Sequence, residues 1–102
     1  MKKVIKKNNK EKVITVDKLD LDKNYITFVK MGKIFRLIEL PENFVKNEDR
    51  FCFIEMNSKK MRMYFSSSSL EGTVLMALEA NRNVYAIDKY EYMDLLDSYE
   101  FY

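Results

Sequence analysis

The sequence contains no histidine and no tryptophan, and only one cysteine, one proline and two glycines. Without histidine there is no imidazole general base, no Ser–His or Cys–His pair and no histidine metal ligand. The single cysteine, Cys52, can form neither an internal disulfide nor a thiolate zinc site. Two glycines are too few for a phosphate-binding loop or a dinucleotide fingerprint. These absences argue against an enzyme and predict a protein without a metal or cofactor.

Long apolar stretches are also missing. The longest uncharged apolar run covers residues 74–78, whereas a membrane-spanning helix needs roughly 20 apolar residues. The first ten residues are basic, but no apolar segment follows them, so they do not resemble a secretory signal. We therefore expect a cytoplasmic protein with no membrane contact.

Abundant residues are as informative as the missing ones. Phe, Tyr, Met, Ile, Asn and Lys together fill 50 of the 102 positions. AT-rich codons encode these residue types, which predicts a source in a low-GC bacterium, its phage or a plasmid. The first twelve residues hold six lysines and one glutamate, whereas residues 84–102 hold five acids and one lysine. We expect a flexible basic arm over residues 1–11 and a single domain over residues 12–102.

Alternating and β-branched runs predict the strands. These runs are 13–16, 25–31, 34–40, 51–56, 61–65 and 84–87. Gly32 separates the second and third runs and supplies the positive φ that a tight hairpin needs. Alternation in the run 61–65 places Met61, Met63 and Phe65 toward the core, with Arg62 and Tyr64 toward solvent.

The predicted helices follow the four-serine run. Ser68 and Glu71 have the spacing of a capping box, and apolar residues then continue at helical spacing. Because Gly72 and Thr73 are poor helix formers, a strand over residues 73–79 remains the alternative. A short acidic helix is predicted over residues 90–98. Asp88 and Glu91 have the spacing of a cap pair at its start.

This order of elements predicts an α+β fold. It consists of a small antiparallel β-meander of five or six strands packed on one or two C-terminal helices. A small all-β barrel is the alternative if residues 73–79 form a strand.

Two sequence features resemble sites and fail on inspection. Residues 20–24 carry the first ligand types of a calcium loop, but Tyr25 replaces the required glycine and Met31 the bidentate glutamate. Cys52 lies in an apolar strand, and alternation places its side chain on the same face as that of Ile54. We therefore expect a core residue rather than a nucleophile.

The acidic, aromatic C-terminal third is the predicted partner-binding site. Tyrosines and acids occur together there, and aromatic residues are enriched at protein interfaces, where nearby charges steer a partner. The predicted contact residues are Tyr85, Tyr90, Glu91, Tyr92, Asp94, Asp97, Tyr99, Phe101 and Tyr102. An equally economical interpretation is that these aromatic residues pack against the sheet.

Basic residues with a nearby tyrosine form the alternative site. Lys59, Lys60 and Arg62 have the charge for phosphate contacts, and Tyr64 has a ring for stacking on a base. Lysines of the arm would add contacts, and Tyr25 and Arg36 would extend the patch if they share its face. Against this interpretation, the formal net charge is only +2, and no nucleic-acid-binding motif is present.

These observations predict a non-enzymatic protein-binding module. The small size and the codon composition favour a stoichiometric inhibitor, encoded by a phage or plasmid, of a host protein that handles nucleic acid. The alternative is an accessory protein that itself binds nucleic acid. The oligomeric state stays open, a homodimer included.

Overall fold

The computed structural model of the protein describes residues 3–7, 12–44, 48–56, 59 and 62–99. Within these residues the chain forms seven strands and two α-helices. In chain order they are β1 (Lys3–Lys7), β2 (Lys12–Thr15), β3 (Tyr25–Lys30), β4 (Lys33–Glu39), β5 (Phe51–Glu55), β6 (Met63–Ser67), α1 (Leu70–Glu79), β7 (Tyr85–Ile87) and α2 (Lys89–Tyr99). Short 3₁₀ turns lie at Val16–Lys18 and Glu42–Phe44.

The described strands form one sheet in the order β2-β1-β7-β3-β4-β5-β6. The five strands from β7 to β6 in that order pair antiparallel, and β3 to β6 form a meander. The β1–β2 hairpin joins them through a parallel pairing of β1 with β7. The predicted α+β class is confirmed. The all-β alternative is wrong, because residues 70–79 form a helix.

Strand β1 does not appear in the sequence prediction, which places residues 1–11 in a basic arm. Lys3–Lys7 instead pair with Lys12–Thr15 on one side and with Tyr85–Ile87 on the other. The side chain of Val4 is fully buried in the core. The lysine-rich composition hides this strand, because it lacks the usual apolar alternation and one of its two neighbours, β7, lies about 80 residues away in the chain. Residues 1, 2 and 8–11 lie outside the described residues.

A tight turn joins β3 to β4, as predicted. Lys30 pairs with Lys33, so only Met31 and Gly32 form the loop. Their φ angles are 53° and 74°, both in the left-handed region that a two-residue hairpin turn requires. Glycine adopts this conformation without strain, whereas Met31 does so at a cost.

An irregularity in β6 changes which side chains face the core. Phe65 has a φ of 55°, and two residues of β6, Phe65 and Ser66, lie opposite the single residue Cys52 of β5. The bulge breaks the alternation, so the predicted inward position of Met63 is wrong and its side chain is 52% exposed. Phe65 does face inward, with its ring 5.8 Å from that of Phe28. Met61 lies outside the described residues.

The main core lies between the sheet and α1. The ring of Phe28 lies 4.6 Å from the ring of Phe35 and 4.9 Å from the ring of Phe53. From α1, Val74 and Ala77 are fully buried in the same cluster. The predicted helical stripe is therefore the face of α1 that packs on the sheet.

Helix α2 lies on the opposite face of the sheet. Successive side chains of a strand point to opposite faces, so Tyr25 points away from the layer that contains Ile26 and Phe28. Tyr92 of α2 packs against Tyr25, with 4.6 Å between the ring centroids. The two helices therefore sandwich the sheet, and only α1 packs on the main aromatic core.

Helix α1 begins one residue later than the capping box predicts. Ser69, not Ser68, has extended backbone and accepts a hydrogen bond from the backbone N–H of Gly72 at 2.9 Å. Thr73 tolerates its helical position because its hydroxyl donates to the carbonyl oxygen of Ser69 at 2.9 Å. That hydrogen bond satisfies a buried hydroxyl, which propensity alone does not anticipate.

Cys52 is a core residue, as predicted. Its side chain is fully buried in β5. Burial, and then the negative charge of Asp49, raise the pKa of the thiol. The sulfur therefore stays protonated and unreactive at neutral pH.

Candidate functional site

Helix α2 is fixed in place at its first turn. The carboxylate of Asp88 accepts a hydrogen bond from the backbone N–H of Glu91 at 2.8 Å, in the manner of an N-cap. The backbone N–H of Tyr92 donates to the carbonyl oxygen of Asp88 at 2.9 Å. The predicted helix is thus present over Lys89–Tyr99, and Asp88 caps it as its spacing indicates.

The inward face of α2 is held by an arginine between two tyrosines. The guanidinium carbon of Arg36 lies 4.0 Å from the ring centroid of Tyr25 and 5.1 Å from that of Tyr92. A cation over an aromatic face is stabilised by the ring quadrupole, by about 0.5–2 kcal/mol. The sequence places Tyr25 and Arg36 with a basic nucleic-acid patch, but here they anchor α2 to the sheet.

Tyr92 belongs to this anchor rather than to a surface. Only 3% of the residue is exposed, so the structure removes it from the surface part of the predicted partner-binding set. Its hydroxyl group is buried beside the guanidinium of Arg36. Burial raises the pKa of Tyr92, and the neighbouring Arg36 guanidinium opposes part of that rise.

The outward face of α2 combines apolar and acidic side chains. Tyr90 is 80% exposed and Met93 is 50% exposed, while Asp94 and Asp97 are also exposed. These four residues follow the i, i+3, i+4, i+7 spacing of one helix face. We call them the α2 stripe. Large apolar groups in the stripe that remain in water are available for burial by a partner.

Met93 is the member of the stripe that the sequence prediction omits. The prediction counts methionine with the aromatic residues as an interface type, but it names only aromatic and acidic residues of the C-terminal third as contacts. Helical spacing is the missing signal, because Met93 lies three residues after Tyr90 and four before Asp97.

Other predicted partner-binding residues lie apart from the stripe. Tyr85 is half-buried in β7, where it pairs with Thr27, and Glu91 is half-buried in α2. Tyr99 ends α2, but its side chain is not described. Phe101 and Tyr102 lie outside the described residues.

The basic alternative site is partly neutralised by a buried glutamate. The Glu55 side chain is only 7% exposed, and its oxygens lie 3.0 Å from Lys33 Nζ and 3.9 Å from Arg62 Nε. Tyr64 is 38% exposed, and its ring packs edge-on against Phe35 at 5.1 Å. Arg62 and Tyr64 are therefore engaged within the protein. Lys59 is exposed, and Lys60 lies outside the described residues.

The role of Glu55 is a feature that the sequence does not reveal. A carboxylate near a hairpin end is usually solvated, and nothing in the spacing indicates that Lys33 from another strand reaches it. Pairing of β4 with β5 brings the two side chains together, with Phe35 opposite Glu55. This ion-pair cluster stabilises the hairpin ends.

The described residues contain neither a cluster of metal-ligating side chains nor a helix able to span a membrane. In that part of the chain no three His, Cys, Asp or Glu residues are grouped to hold a metal ion. Neither described helix has the length and apolar character to cross a membrane.

Comparison with protein-family models, curated proteins and solved structures found no match to this chain.

Proposed function

We propose that this protein is a non-enzymatic protein-binding module and that the α2 stripe is its docking surface. The observation that carries the proposal is the exposure of Tyr90 and Met93 on the same helix face, at 80% and 50%. Tyrosine and methionine are enriched in protein interfaces, where tyrosine buries a large ring and methionine adapts its shape to the partner surface. A helix that presents such anchors fits the groove of a partner.

The partner is a protein with a basic surface around an apolar socket. Helix α2 carries one lysine against three acids, so its own charge is negative. Asp94 and Asp97 flank the apolar anchors and would steer a positively charged partner toward them. The affinity would come mainly from burial of Tyr90, since buried aromatic anchors contribute about 2 kcal/mol or more in interfaces.

The finer assignment rests on composition. The amino-acid composition is compatible with a phage or plasmid of a low-GC bacterium, and the small size supports stoichiometric inhibition rather than turnover. An acidic surface that competes with nucleic acid for a basic host protein fits both observations. Such an inhibitor acts in the cytoplasm.

Site-specific crosslinking tests the docking surface. A photoreactive p-benzoylphenylalanine in place of Tyr90 should give one crosslinked product in lysate of a low-GC bacterium. The same group in place of Met76, which is 40% exposed on α1, serves as the matched control. The product should then be identified and purified, and should bind the unmodified protein in a saturable 1:1 complex.

Two results would count against the proposal. Equal crosslinking from positions 76 and 90 would show general stickiness rather than a docking surface. A purified product that binds equally well after Asp94→Asn and Asp97→Asn substitution, at every salt concentration, would contradict a basic partner.

Nucleic-acid binding remains the alternative function. The exposed side chains of Lys59 and Arg62 support it, although Arg62 lies beside Glu55. A gel shift at low salt that is lost at high salt and lost in Lys59→Gln/Arg62→Gln would favour this alternative. No shift at low salt would reject it.

A further inference from the structure

A groove of about 420 Å³ lies beside β3 and β4, away from the α2 stripe. Its volume falls within the roughly 300–1,000 Å³ of small-molecule sites. Leu21, Ile38 and Pro41 supply its apolar lining. Tyr25, Arg36 and Glu39 supply the remaining lining, so an apolar wall meets a few polar groups. This combination is typical of sites that fix the orientation of a small ligand.

Arg36 is held rigidly at this groove. Tyr25 and Tyr92 lie against its guanidinium, at 4.0 Å and 5.1 Å from ring centroid to guanidinium carbon. A guanidinium stacked on aromatic rings keeps its N–H groups, which lie in the plane of the group, for hydrogen bonding. An arginine fixed in this way loses little further freedom when it binds an anion.

The charge of Arg36 has no counterion among the described residues. The ion pairs in that part of the chain involve Lys33, Arg50 and Arg62, and none involves Arg36. Glu39 is the acid that lines the groove, and its carboxylate already lies 3.8 Å from Arg50 Nη2. The Arg36 Nε atom is buried, and the guanidinium interacts with the hydroxyl of Tyr92. A half-buried cation of this kind is stabilised by an anion.

We propose that this groove binds a small organic carboxylate. The carboxylate pairs with the Arg36 guanidinium, whose fork of N–H groups matches two carboxylate oxygens. The apolar body of the ligand packs against Leu21, Ile38 and Pro41. An aromatic or branched aliphatic acid has the shape for this site, because a compact apolar body buries its surface against the apolar wall. Binding of this ligand does not depend on the docking surface of α2.

Ligand titration by NMR tests this site, with benzoate as the probe. Benzoate should shift the backbone amide signals of Arg36, Ile38 and Tyr25 in a saturable way. Benzyl alcohol has the same ring without the charge, and inorganic phosphate has charge without the ring. Both should bind at least about tenfold more weakly, since each lacks one half of the recognition. Equal binding of either analogue would overturn the proposal.

Two sets of variants locate the binding energy. Arg36→Gln should weaken benzoate binding at least about tenfold, because it removes the paired charge. Since Arg36 also anchors α2, a second pair keeps the test independent of that anchor. Pro41 is exposed at the groove, so Pro41→Glu should weaken binding about threefold by charge repulsion, while Pro41→Gln should not. Equal affinity of the Pro41→Glu and Pro41→Gln variants would contradict the site.

Discussion

Helices α1 and α2 cover opposite faces of one sheet and are held there by different forces. Helix α1 buries Thr73, Val74 and Ala77 against the aromatic core. Helix α2 buries Tyr92 against Tyr25 and Arg36, so its anchor is polar and aromatic rather than aliphatic. Packing against the sheet accounts for the buried apolar residues of α1, whereas it does not account for the exposed Tyr90 and Met93 of α2.

The two helices also differ in how many large apolar side chains they expose. On α1 the large exposed apolar residue is Met76, at 40%. On α2, Tyr90 and Met93 are exposed together with Asp94 and Asp97 at helical spacing. A single exposed methionine is ordinary for a surface. The aromatic–acidic stripe is the basis for the proposal that a partner covers α2, whereas the buried residues of α1 support the fold.

The largest expected effect lies on the α1 side. Phe28→Ala should lower the free energy of unfolding by about 3–5 kcal/mol, because it removes a fully buried ring at the centre of the core. Chemical denaturation followed by circular dichroism measures this change. A loss below about 1 kcal/mol would mean that the core does not lie between the sheet and α1.

The cap of α1 gives an intermediate effect with an internal control. Ser69→Ala removes the oxygen that accepts from the Gly72 N–H, and should cost about 1 kcal/mol. Ser68→Ala should change the free energy of unfolding by less than about 0.5 kcal/mol, since Ser68 is exposed and precedes the cap. A larger loss of stability for Ser68→Ala than for Ser69→Ala would indicate that Ser68 is the N-cap, as the sequence predicts.

The anchor of α2 is tested by alkaline pH. An unfolded tyrosine ionises near pH 10, and the raised pKa of Tyr92 keeps the folded hydroxyl protonated above that pH. The free energy of unfolding should therefore fall as pH rises above about 10, toward the raised pKa of the folded state. Tyr92→Phe removes this contribution, so its stability should decline less steeply with pH. Identical pH profiles would contradict the buried position of Tyr92.

The smallest expected change in stability is on the α2 stripe. Tyr90→Ala should alter the free energy of unfolding by less than about 0.5 kcal/mol, because the side chain is 80% exposed. Thermal and chemical denaturation should both show this. A loss above about 1 kcal/mol would assign Tyr90 a structural role and weaken the contrast between the helices.

Neighbouring residues in the sequence predict several strands and one turn, but not the elements that depend on distant pairing or on an irregular backbone. Strands β3, β4 and β5 follow from alternation, and the Gly32 turn follows from the need for positive φ. Strand β1 escapes prediction because its partners, β2 and β7, supply the stabilisation through backbone pairing. The bulge escapes because a residue in the left-handed region lets Phe65 face inward while Met63, two residues before it, stays exposed.

The candidate site is predicted in part for a similar reason. Tyr90, Asp94 and Asp97 are found by composition, while Met93 requires helical spacing to be recognised. Tyr92 is misplaced by composition, because its burial depends on Tyr25 and Arg36 from the sheet. The sequence signal for that anchor is an arginine flanked by apolar residues, since Arg36 lies between Phe35 and Leu37 in a largely buried strand. A charged side chain in such a strand requires polar or aromatic contacts from another element.

Affinity for the crosslinked partner tests the central claim most directly. The dissociation constant of the purified partner should be measured for the unmodified protein, for Tyr90→Ala and for Met76→Ala, by titration calorimetry. The α2 stripe predicts at least about a tenfold loss for Tyr90→Ala and less than about a twofold change for Met76→Ala. Equal affinities for the two variants, with both folded, would contradict the assignment of docking to α2.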